Sequence, residues 1–170
     1  YYASDEALAV QAETLNESAA DYPDYSTNAI AEQPNAWRPT NLMSASVYAK
    51  PGYRLLAAAL QLPEQPLLYD YGANVVVQPD AVYVNGVSVG SPQSYAEQAS
   101  QIAATGAATE PPADVKWASL GVFALVEGAA TSSDDIFALA VNPQGQIRGN
   151  YVDRRSNQMT VLKGAVDRKS

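Results

Sequence analysis

The last third of the chain constrains the fold most. Residues 115–126 (VKWASLGVFALV), 136–142 (IFALAVN), 146–152 (QIRGNYV) and 158–166 (QMTVLKGAV) are strand-like runs rich in β-branched and aromatic residues. GAATSSDD, PQG and DRRSN separate them, and each separator is built from turn formers. The pattern predicts an antiparallel meander of four strands. In the third run Ile147 and Arg148 fall on opposite faces, as suits a sheet with one buried and one wetted side. The first two runs are apolar on both faces, which predicts central strands covered by helices and hence an α+β domain.

Upstream, NVVVQPDAVYVNGVSVG at 74–90 carries two turn signals inside one apolar run. Pro79-Asp80 breaks it once, and Asn85-Gly86 is a strong signal for a type I′ turn, so three very short strands fold back on one another. Ser91-Pro92 then offers an N-cap and a first-turn proline. Tyr95, Ala99, Ile102 and Ala103 recur at helical spacing until Gly106, which is expected to cap the helix. That helix is expected to cover the hairpin. AATEPPAD at 107–114 reads as a linker.

The first part is less regular. Residues 4–20 fit a weakly apolar helix with Ser4 as N-cap and Leu8, Ala12 and Leu15 on one face. Residues 21–48 contain Pro23, Pro34 and Pro39 in a Ser-, Asn- and Thr-rich context, which predicts an extended wrap pinned by Trp37. KPGYRLLAAALQLP at 50–63 predicts a short helix with Tyr53, Leu56, Ala57 and Leu60 on one stripe. The organisation is therefore an acidic N-terminal wrap (1–66), a hairpin-plus-helix unit (67–110) and the meander (111–170), forming one compact domain. Two or three helices cover the sheets.

Composition limits the function. With 47% hydrophobic and 16% charged residues the chain is globular, and a net charge of −8 argues against nucleic acid as a partner. No apolar run approaches the roughly 20 residues of a membrane span. The absence of an initiator Met predicts a processed or trimmed piece of something longer. Neither His nor Cys occurs, which removes the Ser-His-Asp triad, the Cys-His pair and His- or thiolate-bound zinc. Carboxylate pairs, a Ser-Lys arrangement and oxygen-ligated calcium survive. Ser46 with Lys50, and Lys116 with Ser119, do not match the helical S-x-x-K pattern. Asp134-Asp135 lacks the acidic spacing of a calcium loop. No cofactor or metal is expected.

The motif NPQGQIRGNY (142–151), with WASLGVFALV before it and KGAVDRKS after it, resembles an uncharacterised secreted domain of bacteria, notably planctomycetes, whose members are sometimes labelled mu-protocadherin-like. YDYGANVVV, VYVNGVSVG and SYAEQASQIA (69–103) are similar to the same group. The resemblance covers the C-terminal 100 residues or so. It implies an exported protein, in the periplasm, at the cell surface or secreted, and supplies no catalytic residue. Calcium-binding acidic motifs of true cadherins are absent.

Two features remain as candidate contact surfaces. Basic residues gather near the C-terminus (Arg148, Arg154, Arg155, Lys163, Arg168, Lys169), opposite in sign to residues 1–37, which hold acids and no Lys or Arg. The basic end either faces an anionic wall or lipid surface, or docks on the acidic start and protects strand edges. Tyrosine is abundant, 11 against 2 Phe, and grouped as Tyr22 with Tyr25 and Tyr69 with Tyr71. These rings serve as a stacking platform or as half-buried packing. The sequence thus points to a non-enzymatic structural or interaction module with an unidentified protein or glycan partner. The alternative is a carbohydrate-binding or carbohydrate-processing domain that uses carboxylates such as Asp70, Asp80, Asp134 or Asp135 together with the tyrosines.

Overall fold

The computed structural model describes residues 4–20, 33–43, 52–65 and 69–167; Tyr22, Tyr25, Arg168 and Lys169 lie outside them. The elements run α1 (Asp5–Ala20), α2 (Tyr53–Leu60), β1 (Val75–Val77), β2 (Val82–Val84), β3 (Val87–Gly90), α3 (Pro92–Ala108), β4 (Ala118–Leu125), β5 (Asp135–Val141), β6 (Gln146–Asp153) and β7 (Gln158–Ala165). They form an α+β fold with two antiparallel sheets, β1-β2-β3 and β4-β5-β6-β7. No helix among the described residues is long and apolar enough to cross a membrane.

The small sheet follows from its turn chemistry. Asn85 and Gly86 both take positive φ (51° and 78°), the backbone a type I′ turn requires. Val84 then pairs with Val87, and β1 closes on β2 with Val75 opposite Val84. Val75 and Val82 are fully buried.

The meander follows sequence order, so β4 is an edge strand rather than a central one, and β5 and β6 are central. Both faces of the β4 run are apolar because its first half is covered twice. On one face Trp117 meets Trp37 edge-on, centroids 4.9 Å apart, beside Val115, Ala140 and Leu42. On the other face Leu60 of α2 packs on Ala118 and Val141, with Leu56, Leu62, Leu120, Ile147 and Val166 around them. The second half of β4 is left open.

Residues 33–43 are the extended segment expected around Trp37. Trp117 N–H donates to Asn41 O at 2.9 Å and Met43 N–H donates to Trp117 O at 2.7 Å, forming a parallel bridge ahead of β4. Helix α2 is the predicted stripe, with Ala57 and Leu60 buried and Gln61 left-handed at its end (φ 57°).

Two helices depart from expectation. α3 is capped by Ser91 as predicted, but it runs on to Ala108, past Gly106. Gly106 lies inside the helix because it faces the backbone of Gly164, where a Cβ would collide with the carbonyl. Its role is close approach rather than capping. Accordingly α3 leaves the hairpin and packs chiefly along β7, covering the meander rather than the small sheet. Residues following it are tied down: Thr109 O accepts from Gln146 and Arg148, and Glu110 pairs with Lys163. α1 has its Ser4 cap, with Ala7 N–H on Ser4 Oγ, but Leu8 and Val10 stay exposed. Its anchor is Gln11, whose amide donates to the carbonyls of Gly128 and Ala130.

Candidate functional site: the open half of the meander

Strand register brings together residues that sequence spacing does not single out. Phe123, Phe137 and Tyr151 are directly opposed across β4, β5 and β6, with Thr160 completing the row. The chain's two phenylalanines are therefore cross-strand neighbours. Phe137 and Tyr151 rings are 5.2 Å apart and tilted by 35°. Phe123 is 47% exposed. One row further along the same face, Leu125, Asp135, Asp153 and Gln158 oppose one another, and Leu125 is 62% exposed.

Asp135 and Asp153 are thus facing carboxylates on adjacent strands, a pair that would repel if left alone. Arg155 sits between them. Its guanidinium contacts Asp135 at 3.2 Å and Asp153 at 3.1 Å. The β6–β7 turn positions this fork: Asp153 Oδ1 also accepts the Arg155 N–H, Ser156 Oγ donates to Asp153 Oδ2, and Asn157 supplies the left-handed residue (φ 55°). Tyr151 donates its hydroxyl to Asp135 Oδ1. Ser156 first, and then Arg155, hold the Asp153 carboxyl below the usual range. Donation into Asp135 raises the Tyr151 phenol.

This arrangement does not suit glycoside hydrolysis. That chemistry needs one carboxyl kept protonated by a raised pKa and a cleft around the pair. Asp153 is shifted the other way, and the pair lies cross-linked on an open sheet face. The approximately 500 Å³ groove elsewhere lies between α1 and the β4–β5 loop, lined by Glu6, Ala7, Val10, Gln11 and Gly128 among others. Among the described residues, Glu6 is its one ionisable lining side chain. No group of three or more potential metal ligands occurs among the described residues.

The other sequence candidates are dispersed. Arg148 is no surface residue: it is 2% exposed and donates to the carbonyls of Gly106 (2.9 Å), Thr109 (2.6 Å) and Ile147 (2.9 Å). It closes the end of α3, where orphan carbonyls and the negative end of the helix dipole favour a cation. Lys163 is drawn to Glu110 at 2.9 Å, and Arg154 is half-buried with its N–H on Asp134 O. Among the described residues the predicted basic face is therefore not assembled, because Arg148 turns inward and Arg155 and Lys163 are ion-paired. Tyr69 and Tyr71 are exposed beside the small sheet, and Tyr71 is hydrogen-bonded to Tyr95, which raises its pKa. Ser119 is buried, its Oγ accepting the Gly121 N–H. Asp70 precedes β1 and Asp80 lies between β1 and β2, whereas Asp135 and Asp153 are on the meander. Phe123, Phe137, Tyr151 and Asp153 escaped the sequence reading; pairing the runs about their turns would have found them.

Searches of family models, curated proteins and solved structures find no match for this chain.

Proposed function

We propose that this chain is a non-enzymatic structural or interaction module of an extracytoplasmic bacterial protein, and that it works through the open half of the meander face. The export reading comes from the sequence resemblance over the C-terminal 100 residues or so. One observation carries the choice of surface: the carboxylates and the arginine there are tied to one another, while Phe123 and Leu125 remain exposed on the sheet. Side chains committed to mutual pairing are poorly placed for proton transfer, whereas an exposed apolar patch favours association.

A second reading, glycan binding, has its own support in the row of Phe123, Phe137 and Tyr151 beside two carboxylates. Thermal unfolding with EDTA, calcium and a panel of soluble cell-wall glycans separates the two, since a ligand of the folded state raises the midpoint by mass action. The module reading expects no rise and no release of reducing ends. A rise with one glycan that disappears in Asp135→Asn moves the assignment to carbohydrate binding, and release of reducing ends overturns the non-enzymatic reading.

A further inference from the structure

Tyr53 donates its hydroxyl to the carbonyls of Pro63 and Gln65, and Tyr151 donates to Asp135. Tyr71 differs, because its hydroxyl is hydrogen-bonded to that of a second phenol, Tyr95. Both rings are carried on pinned backbone. Ahead of β1 the Asp70 carbonyl accepts the N–H groups of Ala73, Asn74 and Val75, Asp70 N–H donates to the Asn74 side chain, and Gly72 N–H donates to Val75 O. Tyr95 sits in the first turn of α3, its N–H on Ser91 O beside the Ser91 cap. Small molecules can reach the pair, since Tyr71 is 44% exposed and Tyr95 is half-buried.

We propose that Tyr71 and Tyr95 are a site of oxidative modification, joined ring to ring as dityrosine by a peroxide acting through a haem peroxidase, and that this bond staples the loop before β1 to α3. Each phenol gives up one electron and its hydroxyl proton. The two phenoxyl radicals then join through ring carbons ortho to the oxygens. Both ortho hydrogens return to the oxygens as the rings regain aromaticity, so the hydroxyls are restored and the pair has lost two hydrogens. The peroxide takes up two electrons and two protons and becomes two waters. In the product the hydroxyls flank the new carbon–carbon bond and are neighbours. A hydroxyl-to-hydroxyl hydrogen bond therefore sets the reacting carbons side by side beforehand, and fixing two reactants in this way replaces a chance encounter with an intramolecular step. The chain has no cysteine, whose thiol would reduce the radicals before they met. It also has no disulfide, and a covalent staple between these two elements restricts the unfolded chain as a disulfide otherwise does. The modification is independent of the face through which the chain makes contact.

Treating the dilute full chain with hydrogen peroxide and a haem peroxidase, then digesting it with a protease that cuts before aspartate, tests this. Cleavage before Asp70, Asp80 and Asp114 places Tyr71 in peptide 70–79 and Tyr95 in peptide 80–113. The expected product is a fluorescent chain of monomer mass, lighter by two hydrogens, whose digest holds these two peptides joined. Peptide 80–113 also contains Tyr83, so single variants read the partner. Tyr71→Phe and Tyr95→Phe each keep the ring and are expected to lose the joined peptide. Tyr83→Phe is expected to retain it, as is Tyr69→Phe, which removes an equally exposed phenol two residues away. Three results would overturn the proposal: a joined peptide that survives Tyr95→Phe, coupling only between separate chains, or no coupling under conditions that couple free tyrosine.

Discussion

The Asn150 side chain closes both backbone groups of Trp37, accepting the Trp37 N–H at 2.7 Å and donating to the Trp37 carbonyl at 2.9 Å across 113 residues of sequence. Asn150 is 4% exposed and Trp37 is half-buried, so these bonds are partly shielded from water. They fix the 33–43 segment on the central strand β6 and hold Trp37 against Trp117. Asn150→Ala removes both and leaves half-buried backbone groups unpaired, at about 1–1.5 kcal/mol each. The expected loss is about 2–3 kcal/mol in urea unfolding, with Asn150→Asp intermediate because it keeps the acceptor. A loss under about 0.5 kcal/mol, typical of an indifferent surface change, would show that the segment is held by packing alone.

Arg148→Met should destabilise by about 2–3 kcal/mol, since charge-assisted bonds to buried carbonyls are lost at the end of α3. The effect should be local first. Amide exchange at residues 105–110 is expected to accelerate more than exchange in α2, which packs on the opposite face of the meander. Uniform acceleration would mean that the arginine supports the sheet rather than the helix end.

Gly106→Ala pits two effects against each other. Alanine gains roughly 1 kcal/mol in a helix interior, but here its Cβ would meet the Gly164 carbonyl, and backbone cannot rotate away. Overpacking costs of about 1–3 kcal/mol should win, and the melting midpoint should fall. A rise would show that α3 can slide along β7 without penalty.

The ion cluster predicts opposite behaviour in acid and base. Asp153 is held below its ordinary range by Ser156 and then Arg155, and Glu110 by Lys163. A depressed folded pKa contributes stability above the unfolded value of about 4, which is lost as pH falls through the folded value. Tyr151 is raised by its bond to Asp135, so its contribution holds below about pH 10 and is lost as pH rises through the folded pKa. In melting curves against pH, wild type and Asp153→Asn should therefore converge in acid, and wild type and Tyr151→Phe in alkali. Parallel curves at all pH values would remove these groups from the stability of the sheet.

Local signals in the sequence determined much of the build. Asn85-Gly86 dictates its turn because few residues accept positive φ twice in succession, and Ser91-Pro92 starts α3 because the serine accepts the Ser94 N–H. The strand runs and their turn-rich separators gave the meander and its order. Tertiary structure alone decided what each face does. A period-two pattern says that both sides of β4 are apolar, but it cannot say that α2 and Trp37 cover only the first half and leave Phe123 and Leu125 open. Likewise Arg148 and Arg155 carry the same charge in the sequence. One is drawn inward by carbonyls some 40 residues away and the other is caught between two carboxylates, because electrostatic partners are set by distance in space rather than along the chain.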